Sequence, residues 1–248
     1  MCGRYAITTP PQAMRELFAF VEQPNFPARY NVAPTQPVPI IRLESGKRHF
    51  ALVRWGLVPS WVKEEPQSLL INARAETIAE KPSFRGAFRH RRCLMPADGF
   101  YEWKAMPKGP KQPYYIRRRD GKPFAMAAIW DNWMSPNGSE IESCAVVTTE
   151  ANATLRDIHH RMPVILDEAD WDRWLDPAAT AKELAALMKP APDDLLEAVP
   201  VSDAVNRVAN DHPGLVAETH VRLPVVEART AAAPRKQKPM DDRQADLF

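Results

Sequence analysis

Twenty-five prolines are spread through 248 residues and cut the apolar sequence into short pieces. Each one fixes φ near about −65° and removes a backbone donor, so neither a long helix nor the middle of a sheet runs through it undisturbed. The prolines do not gather in one low-complexity block. Many short elements joined by rigid turns are expected. Pro37 to Leu43 and His49 to Trp55 flank Ser45-Gly46-Lys47 and read as a hairpin. Tyr114 to Arg118 and Pro123 to Trp130 read the same way around Asp120-Gly121. Further strands are predicted at Leu69 to Ala73, Cys93 to Met95, Phe100 to Lys104, Ser143 to Thr148 and Pro163 to Leu166. Helical periodicity fits Pro11 to Phe18, Ser83 to His90, Ala151 to Ile158, Glu168 to Leu175 and Thr180 to Met188. The pattern is α+β and rich in antiparallel strands, predicting a single compact domain over residues 1–227 with a barrel-like sheet core and flanking helices. From Ala228 the chain turns to Ala, Pro, Lys, Gln and Asp with little to bury, so residues 228–248 are expected to form a disordered tail.

No apolar run approaches the roughly 18 residues of a membrane span, and charged Arg4 follows Cys2 where a secretory segment would be apolar. A cytoplasmic protein without membrane contact is expected. Three cysteines, Cys2, Cys93 and Cys144, are too few and too scattered for a disulfide framework or a paired zinc motif. The net charge of +2 neither demands nor excludes nucleic acid. Its distribution is more informative, because Arg85, Arg89, His90, Arg91 and Arg92 form one basic cluster and Arg117, Arg118 and Arg119 another.

Chemistry begins at Met1-Cys2-Gly3-Arg4. A small second residue permits removal of Met1, which would leave Cys2 with a free α-amine beside its thiol. The amine titrates near about 7.7–8.0 and the thiol near about 8.5, so both nucleophiles are partly available at neutral pH. Such an aminothiol can attack one aldehyde twice, giving an imine and then a five-membered thiazolidine. Two other readings stand beside this one: an N-terminal-nucleophile hydrolase acting as autopeptidase or like a glutamine amidotransferase, and an incidental small residue behind a start codon.

Three more segments carry candidate groups. In Ile71-Asn72-Ala73-Arg74-Ala75-Glu76-Thr77, strand alternation puts Asn72 and Arg74 on one side. Gly99-Phe100-Tyr101-Glu102-Trp103-Lys104 sets a carboxylate among three aromatics, where desolvation would raise its pKa toward the range useful for proton transfer. Ile158-His159-His160-Arg161-Met162-Pro163 supplies an imidazole at a junction of helix and strand. Adjacent histidines diverge on a regular element, so a metal site is not expected there.

Taken together and in this order, Cys-Gly-Arg after Met1, Asn-Ala-Arg-x-Glu-Thr, Phe-Tyr-Glu-Trp-Lys and Ile-His-x-Arg-Met-Pro resemble the SOS-response-associated peptidase (SRAP) family, which crosslinks to abasic DNA. Tyr30-Asn31-Val32-Ala33-Pro34 and Trp55-Gly56 also fit, and the resemblance covers roughly residues 2 to 222. It implies Cys2 as nucleophile, Asn72 as the group orienting its amine or thiol, and Glu102 as proton shuttle. The family pattern of His, a variable residue, then Arg-Met-Pro selects His159 over His160. Arg4, Arg74 and Arg161 are implied as phosphate contacts, with Asn31, Pro34, Trp61, Trp103 and Thr148 along the path of the strand. The implied partner is single-stranded DNA bearing abasic sites, bound by a nucleoid-associated monomer that needs no metal or organic cofactor. A rival from another class is a noncatalytic DNA-binding module. At the end of the chain, Gln244, Leu247 and Phe248 resemble the Gln-x-x-Leu-Phe peptide that docks on the bacterial sliding clamp.

Overall fold

The computed structural model describes residues 2–68 and 70–221. Its strands are β1 (Tyr5–Ile7), β2 (Arg29–Val32), β3 (Pro37–Glu44), β4 (Lys47–Trp55), β5 (Asn72–Arg74), β6 (Arg92–Ala97), β7 (Gly99–Lys104), β8 (Gln112–Arg118), β9 (Phe124–Met134), β10 (Glu140–Glu150), β11 (Arg161–Pro163), β12 (Ile165–Leu166) and β13 (Leu196–Pro200). The helices are α1 (Pro11–Phe18), α2 (Pro82–His90), α3 (Trp171–Leu175) and α4 (Ala181–Leu187).

Local chemistry explains several boundaries. Helices α1 and α2 each begin on a proline, whose missing N–H would have no intrahelical acceptor there. Helix α4 opens with Thr180 accepting from the Glu183 amide while the Glu183 carboxylate returns to Thr180, a reciprocal cap. Strands β3 and β4 form the expected hairpin, closed by Ser45 and Gly46 at φ 48° and 77°. Two successive left-handed residues give a turn whose twist matches that of the strands. Pro37 and Pro39 lie where β3 has no second partner, since β6 pairs with it only at Ile41 and Arg42.

Strands β4, β3, β6, β9 and β10 pair in sequence, and β10 returns to β4, closing a five-stranded barrel. Around it, β5 and β11 extend along β10 and β12 along β9. A second sheet runs β13-β8-β7-β1-β2. Phe124 to Ile129 and Ser143 to Thr149 are buried without interruption, as strands covered on both faces require. The α+β class, antiparallel richness and barrel-like core are as expected. No described helix is long and apolar enough to cross a membrane.

Two expectations are corrected. The turn at Asp120-Gly121 exists, with Gly121 at φ 70° and the Asp120 carboxylate bonded to Arg118 and to the Lys122 amide, but it does not join a hairpin. Strand β8 pairs with β7 and β13, while β9 pairs with β6, β10 and β12. Strand β8 turns back on the preceding β7 and β9 on the following β10, while β13 takes the other edge of β8 and β6 the other edge of β9, and turn chemistry carries no information about that competition. Residues 151–158 form successive turns in place of a helix. Buried Asn152 sends Nδ2 to the Ala191 and Pro192 carbonyls and accepts from the Leu155 amide, and the Thr154 hydroxyl donates to the Asp193 carbonyl. These side chains compete with the helical ladder for the backbone. The expected tail over 228–248, with Gln244, Leu247 and Phe248, lies outside the described residues.

Gly99, the first residue of β7, fits under the ring of Tyr115. A Cβ there would lie 2.5 Å from the Tyr115 hydroxyl oxygen, and that ring is buried and packed 5.0 Å from Tyr101, so it has nowhere to swing. Gly99→Ala is therefore expected to destabilise the fold by about 1–3 kcal/mol, the usual cost of overpacking, read as a lower urea midpoint at unchanged slope.

Candidate active site

Strand β1 lies between β2 and β7, with Tyr5 opposite both Val32 and Phe100. The Tyr101 amide donates to the Arg4 carbonyl at 2.9 Å, so continuing the antiparallel register carries residues 2 and 3 alongside Glu102 and Trp103. Cys2 is fully buried there. From the other side, β5 runs parallel to β10 with Asn72 beside Val146 and Arg74 beside Thr148. Asn72 Nδ2 donates to the Cys2 carbonyl at 2.9 Å, while its buried Oδ1 has no hydrogen-bond partner among the described residues. Two sheets thus meet at the first residues of the chain.

His159 follows the turns over 152–158 and precedes β11. Its Nδ1 lies 3.0 Å from the Arg161 amide and 3.1 Å from the Arg161 carbonyl, accepting from one or donating to the other according to its protonation. The His160 ring stacks on it at a centroid distance of 4.4 Å.

Burial sets the electrostatics. It raises the Cys2 thiol pKa, with the nearby negative charge of Glu102 adding to the effect, so the resting sulfur is a neutral thiol. Burial also raises Glu102 above the usual carboxylate range, opposed by the positive charge at the amino terminus and by Lys111. The same desolvation lowers His159, helped by the amino terminus and His160. A carboxyl and an imidazole are thus both pushed toward their neutral forms near the start of the chain.

The DNA-contact set divides. Arg74 and Trp61 are exposed, and Pro34 and Trp103 are partly so. Arg4 Nη1 donates to Asn31 Oδ1 and to the Val205 carbonyl, both at 2.7 Å, and its guanidinium lies 5.8 Å from the Trp103 ring centre. Asn31 is buried and sends Nδ2 to the carbonyls of Val205, Arg207 and Asn210. It latches the 205–210 segment against the site and presents nothing to the surface. Thr148 is likewise interior. Arg161 is buried, clamps Glu76 through two parallel bonds of 2.6 and 2.9 Å, and donates to the Thr148 carbonyl at 2.6 Å. This fork holds the Glu76 carboxyl below its usual range and ties β11, β10 and the end of β5 together. Beside it opens a cleft of about 510 Å³ lined by Arg74, Glu150, Ala151, Arg156, His160 and Arg161. No group of three or more potential metal ligands occurs among the described residues.

Two residues escaped the sequence reading. Lys111, just before β8, places its charge near both Glu102 and His159, and Arg156 joins the wall of the cleft. Both stand outside the recognisable motifs, and no local signal marks them.

Comparison with known proteins agrees with this architecture. The family model described as SOS response associated peptidase (SRAP) matches residues 1–208. The chain is 38% identical over 225 residues to abasic site processing protein YoqW of Bacillus subtilis, covering 89% of this chain and all of that one. It is 34% identical to abasic site processing protein YedK of Escherichia coli, covering 87% of this chain and 99% of that protein. A crystal structure of a protein from Bacteroides thetaiotaomicron superposes with a TM-score of 0.80 at 30% identity, over 88% of this chain and all of that one. The chain belongs to the SOS response associated peptidase (SRAP) family.

Proposed function

We propose that this protein processes abasic sites in single-stranded DNA by bonding covalently to them through Cys2 once Met1 is removed. The observation that carries the reading is the Asn72 amide on the Cys2 carbonyl, which fixes the first residues of the chain beside buried Glu102. An N-terminal-nucleophile hydrolase would also draw on the α-amine, as base to the thiol, so the substrate is what separates the two readings. Two of the whole-length relatives carry the name abasic site processing protein, which supports the same substrate.

His159 and Glu102 divide the proton transfers between them. An abasic deoxyribose rests mainly as a closed hemiacetal; His159 gives a proton to the ring oxygen as the C1′–O bond breaks and recovers one from the C1′ hydroxyl, which releases the C1′ aldehyde. Glu102 takes a proton from the Cys2 ammonium, and the free amine adds to the aldehyde carbon to give a carbinolamine. Glu102 returns a proton to the hydroxyl, water leaves and an imine forms. The thiol then adds to the imine carbon while its proton passes to nitrogen, closing the thiazolidine. Aldehyde and aminothiol thus become thiazolidine and one water, with no oxidant or metal. The raised thiol pKa fits this order, because a neutral sulfur waits while the amine acts first. Proton transfers of this kind are each worth about 10²- to 10⁴-fold in rate.

On a denaturing gel with an abasic oligonucleotide, Cys2→Ala is expected to give no adduct while retaining most of its noncovalent affinity, which phosphate contacts supply. Equal crosslinking by the variant and wild type would refute the mechanism.

Glu102→Gln is expected to crosslink at least about tenfold more slowly at neutral pH. Because the Glu102 pKa is raised, the wild-type carboxyl begins to protonate at a higher pH than an ordinary one. The gap between the two proteins should therefore close as pH falls through that range, and single-turnover rates against pH measure it.

His159→Ala is expected to slow the reaction at saturating DNA by about tenfold or more, whereas His160→Ala leaves that rate nearly unchanged. Exchange of the two phenotypes would move the proton donor to the neighbouring position.

A further inference from the structure

The barrel and the second sheet do not close on each other everywhere. Between them lies a cleft of about 200 Å³ that shares no residue with the candidate active site. Tyr5 and Ile7 of β1 and Val32 of β2 line one side, Pro39 of β3 lines the other, and all four are buried. The rim is apolar and open to solvent: Pro27 and Pro37 are exposed, and Leu52 of β4 is 52% exposed. Phe26 flanks the opening, its ring stacked 5.6 Å from Phe50, which packs in turn against Phe20.

One polar handle is built into this lining. The Tyr5 side chain has no exposed surface, and its hydroxyl has no hydrogen-bond partner among the described residues. A hydroxyl withdrawn from water and left unpaired destabilises a fold, and a ligand that pairs it relieves that cost. Burial pushes the Tyr5 pKa well above its usual value, so the hydroxyl keeps its proton and is a donor. Free charge is missing by contrast. Arg29, beside the rim, gives Nε to Asp211 and Nη2 to Gln36 Oε1, both at 2.7 Å.

These features select one occupant. The volume exceeds the roughly 150 Å³ of an apolar cavity that takes up benzene, so a single substituted ring fits. An apolar body with one acceptor satisfies the Tyr5 hydroxyl and leaves no other polar group unmatched. A nucleobase would bury several donors and acceptors against carbon, and an anion would find Arg29 already engaged. A peptide strand has no edge to join. Pro37 and Pro39 withhold backbone donors where β3 has no second partner, and the Tyr30 amide of β2 is taken by Asp211. We propose that the cleft between the two sheets is a binding site for a small neutral aromatic molecule bearing one hydrogen-bond acceptor, to which the Tyr5 hydroxyl donates.

The test is titration of the full chain with methyl benzoate, toluene and benzoate, followed by amide chemical shifts and by thermal melting. Wild type is expected to bind methyl benzoate most tightly, with shifts centred on Tyr5, Ile7 and Val32 and a raised Tm. Tyr5→Phe should weaken methyl benzoate by about tenfold, as loss of one buried hydrogen bond does, and leave toluene unchanged or tighter. The same variant should melt higher than wild type when free, because an unpaired buried hydroxyl is gone. Leu52→Glu, at an exposed position, should weaken both neutral rings by setting a charge at the rim. No saturable binding of methyl benzoate would overturn the proposal, as would equal affinities for wild type, Tyr5→Phe and Leu52→Glu. A free Tyr5→Phe protein that melts lower would overturn it too, since the hydroxyl would then have a partner inside the fold. Binding of benzoate alone would overturn the neutral ligand. A dimer in sedimentation that Leu52→Glu abolishes, with no ring bound, would overturn it in favour of a second copy of this chain. No arm uses DNA, so failure of the abasic-site reading leaves this outcome untouched.

Discussion

Strand β10 is the constraint on which the rest depends. Seven consecutive residues, Ser143 to Thr149, are buried, so every backbone polar group along them needs a partner. One edge takes β4 and then β5, and the other takes β9 and then β11. The first half of the strand closes the barrel and the second half positions the candidate site. Because Thr148 lies opposite both Arg74 and Pro163, the Asn-Ala-Arg and His-x-Arg-Met-Pro segments arrive side by side without any contact of their own being needed. A one-residue slip on either edge would turn those side chains to the opposite face. The Arg161 fork onto Glu76 and the Thr148 carbonyl secures that register where the ladder ends.

The second sheet supplies the other half of the site by the same means. Strand β1 is short, but it is central, and its register with β7 carries the chain start toward Glu102. Around this meeting point burial acts in one direction: it disfavours the thiolate, the carboxylate and the imidazolium alike. Charge persists chiefly where an opposite charge compensates, as the amino terminus and Lys111 do for Glu102. The groups are thus tuned by one another, and removing any of them shifts the rest.

The parts legible in the sequence were those governed by nearest neighbours. The Ser45-Gly46 turn, the prolines opening α1 and α2 and the Thr180 cap all act within a few residues. The hairpin expected around Asp120-Gly121 failed because β8 pairs instead with the preceding β7 and β9 with the following β10, with β13 and β6 on their other edges, and the helix over 151–158 failed because distant carbonyls capture Asn152 and Thr154. The candidate reactive side chains could be singled out because few residue types do the proposed chemistry. Exposure could not be read in the same way. Asn31, Thr148 and Arg161 are polar yet interior, and Arg92 looked like part of a surface cluster while serving as a staple between two helices. Whether a polar side chain faces water or carbonyl oxygens is decided by elements far away in the chain.

Complete burial of Cys2 bears on the chemical lifetime of the protein. Oxidants attack thiolates that they can reach, and sulfenic acid formation follows thiolate character and accessibility. A sulfur with no exposed surface and a pKa pushed upward offers neither. DNA damage and oxidative stress share their causes, so under the proposed chemistry a nucleophile kept as a free thiolate would be consumed under the conditions that create its substrate. Sheltering the sulfur as a protonated thiol lets it outlast a burst of peroxide and stay reduced for the aldehyde of the proposed reaction.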